Sequence, residues 1–144
     1  ENVEKEIRQM VVSENVSQIS AIHDVRVKMV AIQREMGKNG GIVMDGRDIG
    51  SNVFPDAELK LFMTADTDIR TQRRFDEFTS KGQHVAFGDV KLNLIHRDHE
   101  DTHRKENPLI QAHDAIVLDN SELTREQQLE FVLKLIHDLT LAVN

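Results

Sequence analysis

The sequence predicts an α/β protein, a parallel sheet with flanking helices. Three short apolar runs, at about 41–44, 59–64 and 115–118, have the length of strands. Stretches of helical spacing separate them, which is the order of a parallel sheet whose strands are joined by helices. The first run, Ile42 to Met44, passes directly into Asp45-Gly46-Arg47-Asp48. Three charged side chains and a glycine are poor packing residues, and ligands of open α/β sheets bind beyond the carboxyl ends of the strands. Two acids beside one arginine suit a substrate that carries both a phosphate and hydrogen-bond donors.

Residues 1–12 are charged and then apolar (Ile7, Met10, Val11, Val12, with Arg8 between), and read as an ordered arm. Ser13 is placed to cap a short helix carrying Val16 and Ile19. Asp24 is placed to cap a second helix reaching about Met36, with Val25, Met29, Val30 and Met36 inward. Ser17 and Arg26 project from these segments, and their spacing alone favours solvent. Gly37-Lys38-Asn39-Gly40-Gly41 reads as a helix stop and a turn. Its Gly-Lys pair is not a phosphate loop. That motif requires glycine where Ile32 stands and Ser or Thr where Asn39 stands, and no other site in the chain fits.

Phe54-Pro55-Asp56-Ala57 reads as a turn before the second strand, in which Leu59, Leu61 and Met63 interleave with Lys60 and Phe62. Residues 66–81 read as a helix with Arg73-Arg74 at its middle and Gly82 as its stop. In the next helix, 87–104, Phe87, Val90, Leu94, Arg97, Asp101 and Arg104 share one face. This stripe is apolar in its first half and charged in its second without losing phase. A helix leaving the core for a polar cleft would do this, and so would a solvated helix end with an Arg97–Asp101 pair; spacing leaves both open. Ala115 to Leu118 ends in Asp119. Thr124 and Gln127 form a capping box for a final helix, 124–143, whose face of Leu129, Val132, Leu133, Ile136, Leu139 and Val143 reads as core packing.

A chain of 144 residues fits one domain with a real core. Its net charge of −7 argues against a partner such as a nucleic-acid polymer, which requires a basic footprint. The absence of cysteine excludes disulfides and thiolate chemistry and is compatible with a reducing, cytoplasmic setting. No apolar run has the length of a membrane span, and no signal peptide is visible. His96, His99 and His103 recur at helical spacing, but only the last pair has the i,i+4 separation of a helical metal pair, so no protein metal ligand is assigned. There is no nucleophile elbow. Asp114 and Asp119 read as a helix cap and a turn acid. The arginines make the stronger set. Arg47, Arg73, Arg74, Arg97 and Arg104 lie at strand ends or on the middle helices, each near an acid. Arginine contacts phosphate oxygens in a planar fork, and phosphoryl transfer is mostly positioning and charge neutralisation.

Three segments together resemble the bacterial cytidylate (CMP) kinases, a family of P-loop nucleoside-monophosphate kinases. They are DGRDIG with VFPDA at 45–57, the arginines and KG at 70–82, and RDHEDTHR with NPL and AHDAIVLDNS at 97–121; the stretch from Ile7 to Arg26 fits as well. The resemblance implies a P-loop NTPase-like parallel sheet that is incomplete here, because the P-loop strand, its lysine loop and the first helix have no counterpart in these residues. It implies one domain fragment over 1–144, with 1–36 part of the CMP-binding region and 37–144 a core with a lid-like segment at about 73–104.

The implied activity is transfer of the γ-phosphoryl of ATP, with Mg2+, to CMP or dCMP, and little activity for these residues alone. Ser17, Arg26 and Asp48 resemble the cytosine readers, Arg97 and Asp101 the ribose contacts, and Arg47 and Arg104 the clamps on the CMP phosphate. Arg73 resembles a contact to the ATP phosphates. Arg74, Arg8 and Asp45 are further candidates, Asp45 for the magnesium water shell or for the turn alone. The family often has serine where Thr102 stands and proline where His23 stands. The missing strand would lie between the strands ending at Asp45 and at Thr64, so a preceding segment or another copy is expected to fill that gap. Two alternatives stay open: a kinase of another nucleoside monophosphate, and a non-catalytic nucleotide-binding or assembly module.

Overall fold

The computed structural model describes residues 2–4 and 6–142. Glu1 and Val143 lie outside the described residues. A 3-10 turn, Glu6–Arg8, leads into α1 (Met10–Ser20), followed by α2 (His23–Met36), a π turn (Ile49–Val53), β1 (Leu61–Thr64), α3 (Thr67–Ser80), α4 (Phe87–His103), β2 (Ile116–Asp119) and α5 (Arg125–Ala142). The molecule is α/β, with the two strands parallel and helices around them.

β1 and β2 pair in register from Leu61 with Ile116 to Thr64 with Asp119. The ladder continues past both ends through Ile116 N–H to the Lys60 carbonyl and Asn120 N–H to the Thr64 carbonyl, each 2.9 Å. Parallel neighbours need a long crossover, and α3 and α4 supply it. These helices make the tightest helix pair, with Phe78, Val90 and Thr71 fully buried between elements. Burying a phenylalanine is worth about 2–3 kcal/mol, so this pair holds the middle of the chain. Asp66 caps α3 by accepting from Asp68 and Ile69 N–H, and Gly82 ends it at φ 71°, a conformation that favours glycine.

Several expectations require correction. Residues 41–44 form no strand, and Val43 is 99% exposed. A strand exists only through ladder bonds to a neighbour, and among the described residues the sheet has only β1 and β2. The apolar run is therefore present without a partner. Residues 10–12 are the start of α1 rather than an arm, and Ser13 lies inside that helix. Asp24 is in the first turn of α2 and Ile22 takes the cap position. Met29 and Met36 are exposed, because α2 turns Arg26 rather than its methionines inward. Asp114 is no helix cap: it accepts from the buried Lys60 at 2.6 Å. The Thr124–Gln127 capping box forms as expected. Yet Leu129, Leu133, Ile136 and Leu139 on α5 are exposed, since no described element packs extensively against that face.

Candidate functional site

The segment 45–54 owes its shape to two local features. The Asp48 carbonyl accepts from both Asn52 and Val53 N–H (2.9 and 3.2 Å), and the Ile49 carbonyl accepts from Phe54 N–H at 2.7 Å, which closes the wide π turn. A Cβ on Gly46 would stand 2.8 Å from Ile49 Cγ1, so only glycine lets that side chain fold back over the backbone. Arg34 of α2 anchors the turn by donating to the Asn52 and Val53 carbonyls. Arg47 and Asp48 are thereby held facing α4 and α2.

Here α1, α2, this turn and the second half of α4 enclose a cleft of about 300 Å³, at the small end of ligand pockets. Val16, Val25, Met29 and Val30 form part of its wall, and Ser17, Arg26, Arg47, Asp48, Arg97, Asp101 and Arg104 bring the polar groups. Asp48 is the hub. Its Oδ2 accepts from Arg26 Nη2 at 2.5 Å and from Asn52 Nδ2 at 3.0 Å, and its Oδ1 accepts from Arg104 Nη2 at 3.2 Å. Asp101, 4% exposed, accepts from Arg47 Nε at 2.8 Å and stands 3.6 Å from Arg104 Nη1. Arg104 also donates to the Asn107 carbonyl from Nε and Nη2. Asn107 has φ 47°, a left-handed conformation asparagine tolerates, and this turns its carbonyl back on Arg104.

Four guanidinium groups face two carboxylates in this cleft. Burial, and then the positive neighbour Arg47, hold the Arg97 guanidinium below its usual value. Burial and then Arg26 do the same to Arg104, against the opposing pull of Asp48 and Asp101. Among the described residues, three buried polar atoms have no hydrogen-bond partner, Ser17 Oγ, Arg26 Nε and Arg97 Nε, and all belong to residues lining the cleft. Leaving such an atom unpaired costs about 1–3 kcal/mol. The lining of the cleft thus carries surplus positive charge and three buried polar atoms without partners among the described residues.

Seven of the sequence-derived candidates therefore meet at one place. The charged half of the α4 stripe enters the cleft, and Ser17 and Arg26, for which spacing favoured solvent, are 5% and 8% exposed. The other candidates lie apart. Arg73 donates to Asn120 Oδ1 and to the Asn120 carbonyl beyond β2 (2.8 and 2.7 Å). Arg74 pairs with Glu77 at 2.6 Å and covers the Phe78 ring. Arg8 is paired with Glu4 and Glu77. Asp45 is exposed, with no hydrogen bond or ion pair among the described residues. His99 and His103 stack at 4.1 Å, and among the described residues no three metal-ligating side chains converge. Sequence reasoning missed Asn52, Ser13 and Asn93. The last two had a usable signal, since each stands four residues before a candidate, Ser17 and Arg97, on the same helix face.

The model of the cytidylate kinase family matches residues 1–138. The cytidylate kinase of Flavobacterium psychrophilum is 55% identical over 138 residues, covering 96% of this chain and 61% of the relative. That of Bacteroides thetaiotaomicron is 57% identical over 131 residues, covering 91% and 57%. That of Porphyromonas gingivalis is 50% identical over 141 residues, covering 97% and 61%. The chain spans about three fifths of the length of these relatives. With a match running through nearly every residue, this chain belongs to the cytidylate kinase family.

Proposed function

We propose that the protein carrying this chain is a cytidylate kinase, converting CMP or dCMP and ATP to CDP or dCDP and ADP, and that the cleft is its CMP site. The observation that carries the reading is the charge imbalance of the cleft, four arginines against two carboxylates. A phosphate monoester carries about −1.5 to −2 charge at neutral pH, which offsets the excess.

The roles follow from what each group offers. Ser17 Oγ and the Asp48 carboxylate accept from the 4-amino group of cytosine, and the Arg26 guanidinium donates to N3. Uracil reverses both positions and leaves buried groups unmatched, which discriminates strongly. Arg97 and Asp101 take the sugar hydroxyls, and Arg47 and Arg104 hold the phosphate. A phosphate oxygen of CMP then attacks the γ-phosphorus of ATP in line. A P–O bond forms as the bond to the β,γ-bridging oxygen breaks, and ADP leaves without a covalent enzyme intermediate. Arg73, beyond β2, serves the ATP phosphates.

Magnesium, when bound with ATP, neutralises charge on its phosphate oxygens. Asp45 fits a place beside it: an exposed carboxylate with free oxygens, suited to a cation that keeps most of its waters. No helix among the described residues is long and apolar enough to cross a membrane, and we assign the enzyme to the cytoplasm. Residues 1–144 form one domain fragment, with 1–36 in the CMP-binding region and about 73–104 acting as a lid. The test is turnover of CMP, dCMP, UMP, AMP and GMP by the full-length protein with Mg-ATP. CMP or dCMP is expected to lead; equal turnover of UMP, or none of CMP, overturns the reading.

A further inference from the structure

Arg26, Arg47 and Arg104 are each fixed in the cleft by a carboxylate. Arg97 is not. Among the described residues it forms no ion pair, and its one hydrogen-bond partner is a hydroxyl: Nη1 donates to Ser13 Oγ at 2.9 Å. Ser13 is buried on α1, outside the cleft lining, and its own proton goes to Asn93 Oδ1 at 2.8 Å. A serine hydroxyl has one proton and two lone pairs. With the proton committed to Asn93, the lone pairs are left for Arg97. Asn93 stands one helical turn before Arg97 on α4. One side chain of α4 therefore sets the polarity of a hydroxyl on α1, and that hydroxyl holds a second side chain of α4.

We propose that Ser13 and Asn93 are positioning residues for Arg97, orienting its guanidinium so that Nη2, which has no hydrogen-bond partner among the described residues, is left for the bound nucleotide. This rests on the reading of the cleft as the CMP site. A long guanidinium side chain without a carboxylate anchor would otherwise lose rotamer freedom only when substrate binds, at the expense of affinity. A hydroxyl anchor restrains it in advance and leaves its positive charge available.

The experiment is steady-state kinetics and calorimetric CMP titration on the full-length protein. Ser13→Ala is expected to raise KM and Kd for CMP about tenfold, the scale of one charged hydrogen bond, with kcat and the KM for ATP within about twofold. Ser13→Thr, which keeps the hydroxyl, and Asn93→Asp, which keeps the acceptor, are expected to stay near wild type; Asn93→Leu is expected to match Ser13→Ala. In an Arg97→Ala background, Ser13→Ala is expected to add less than about twofold. An equal loss in that background, equal effects on CMP and ATP, or failure of the two conservative variants would show mere α1–α4 packing and overturn the proposal. Should Ser13→Ala not fold, the two Asn93 variants decide alone. Wild type that does not bind CMP removes the underlying reading and this one with it. Wild type that binds CMP beside a Ser13→Ala variant that binds equally well removes only this one.

Discussion

Replacing Asp48 with alanine probes the hub of the cleft. The carboxylate is buried and bonds two guanidinium groups, Arg26 at 2.5 Å and Arg104 at 3.2 Å, besides the Asn52 amide. Its loss leaves four arginines, Arg47 among them exposed, facing one carboxylate. Arg104 keeps Asp101 and the Asn107 carbonyl, so the damage falls mainly on Arg26, whose remaining partner is the Ser20 carbonyl at 3.2 Å. Breaking a buried ion pair on one side costs about 3–5 kcal/mol. Asp48→Ala is expected in that range, and Asp48→Asn, which retains an acceptor, at about half. The assay is urea denaturation of the full-length protein, with calorimetric titration of CMP and UMP on the folded variants. Loss of one charged acceptor for the cytosine amino group is expected to reduce the preference for CMP over UMP by about 10–100-fold. A change below about 1 kcal/mol with an unaltered CMP-to-UMP ratio would refute both the hub assignment and the cytosine-reading role.

Phe78→Ala empties a fully buried site on α3 and is expected to cost about 3–5 kcal/mol in the same denaturation assay. His23 bonds both oxygens of Glu106 at 2.8 Å, and that hydrogen bond and charge raise its pKa. The stabilisation it contributes is then fully present below the unfolded histidine value of about 6.5 and fades as pH rises through the folded value. NMR titration should place the His23 midpoint above the ordinary value in wild type and back near it in Glu106→Gln; equal midpoints would count against the pair. The isolated 144-residue chain, with no phosphate-binding loop in its sequence, is expected to show little or no kinase turnover, and robust activity in a coupled ADP assay would contradict this.

What could be read from the sequence was whatever depended on local spacing. The Thr124–Gln127 cap, the stop at Gly82 and the helix face from Val90 to Asp101 follow from local spacing, and each is present, whereas Arg104, expected on the same helix, is its C-cap with ψ 145°. Partners distant in the chain were not legible. Residues 41–44 have the apolar pattern of a strand, but pairing depends on a neighbour that the pattern does not contain. Leu129 and Leu133 likewise show which face of α5 is apolar and nothing about what covers it. For the cleft, Arg97, Asp101 and Arg104 announced themselves as a stripe that changed character without losing phase. Ser17 and Arg26 carried no such signal, because a buried polar residue on a short amphipathic helix has the same spacing as an exposed one. Family resemblance, not periodicity, singled them out.

The cationic surplus of the cleft also bears on how the protein meets ions other than its substrate. The chain as a whole carries a net charge of −7, so the cleft is a small positive opening in a negative body. Such an opening concentrates field lines and draws in small anions from solution. Sulfate and inorganic phosphate share the size and charge of a phosphate monoester's head, and they would compete for Arg47 and Arg104. On the proposed reading of the cleft, binding constants measured in phosphate buffer would describe an exchange of anions, whereas those measured in a buffer of bulky, weakly binding anions would describe occupation of the cleft itself.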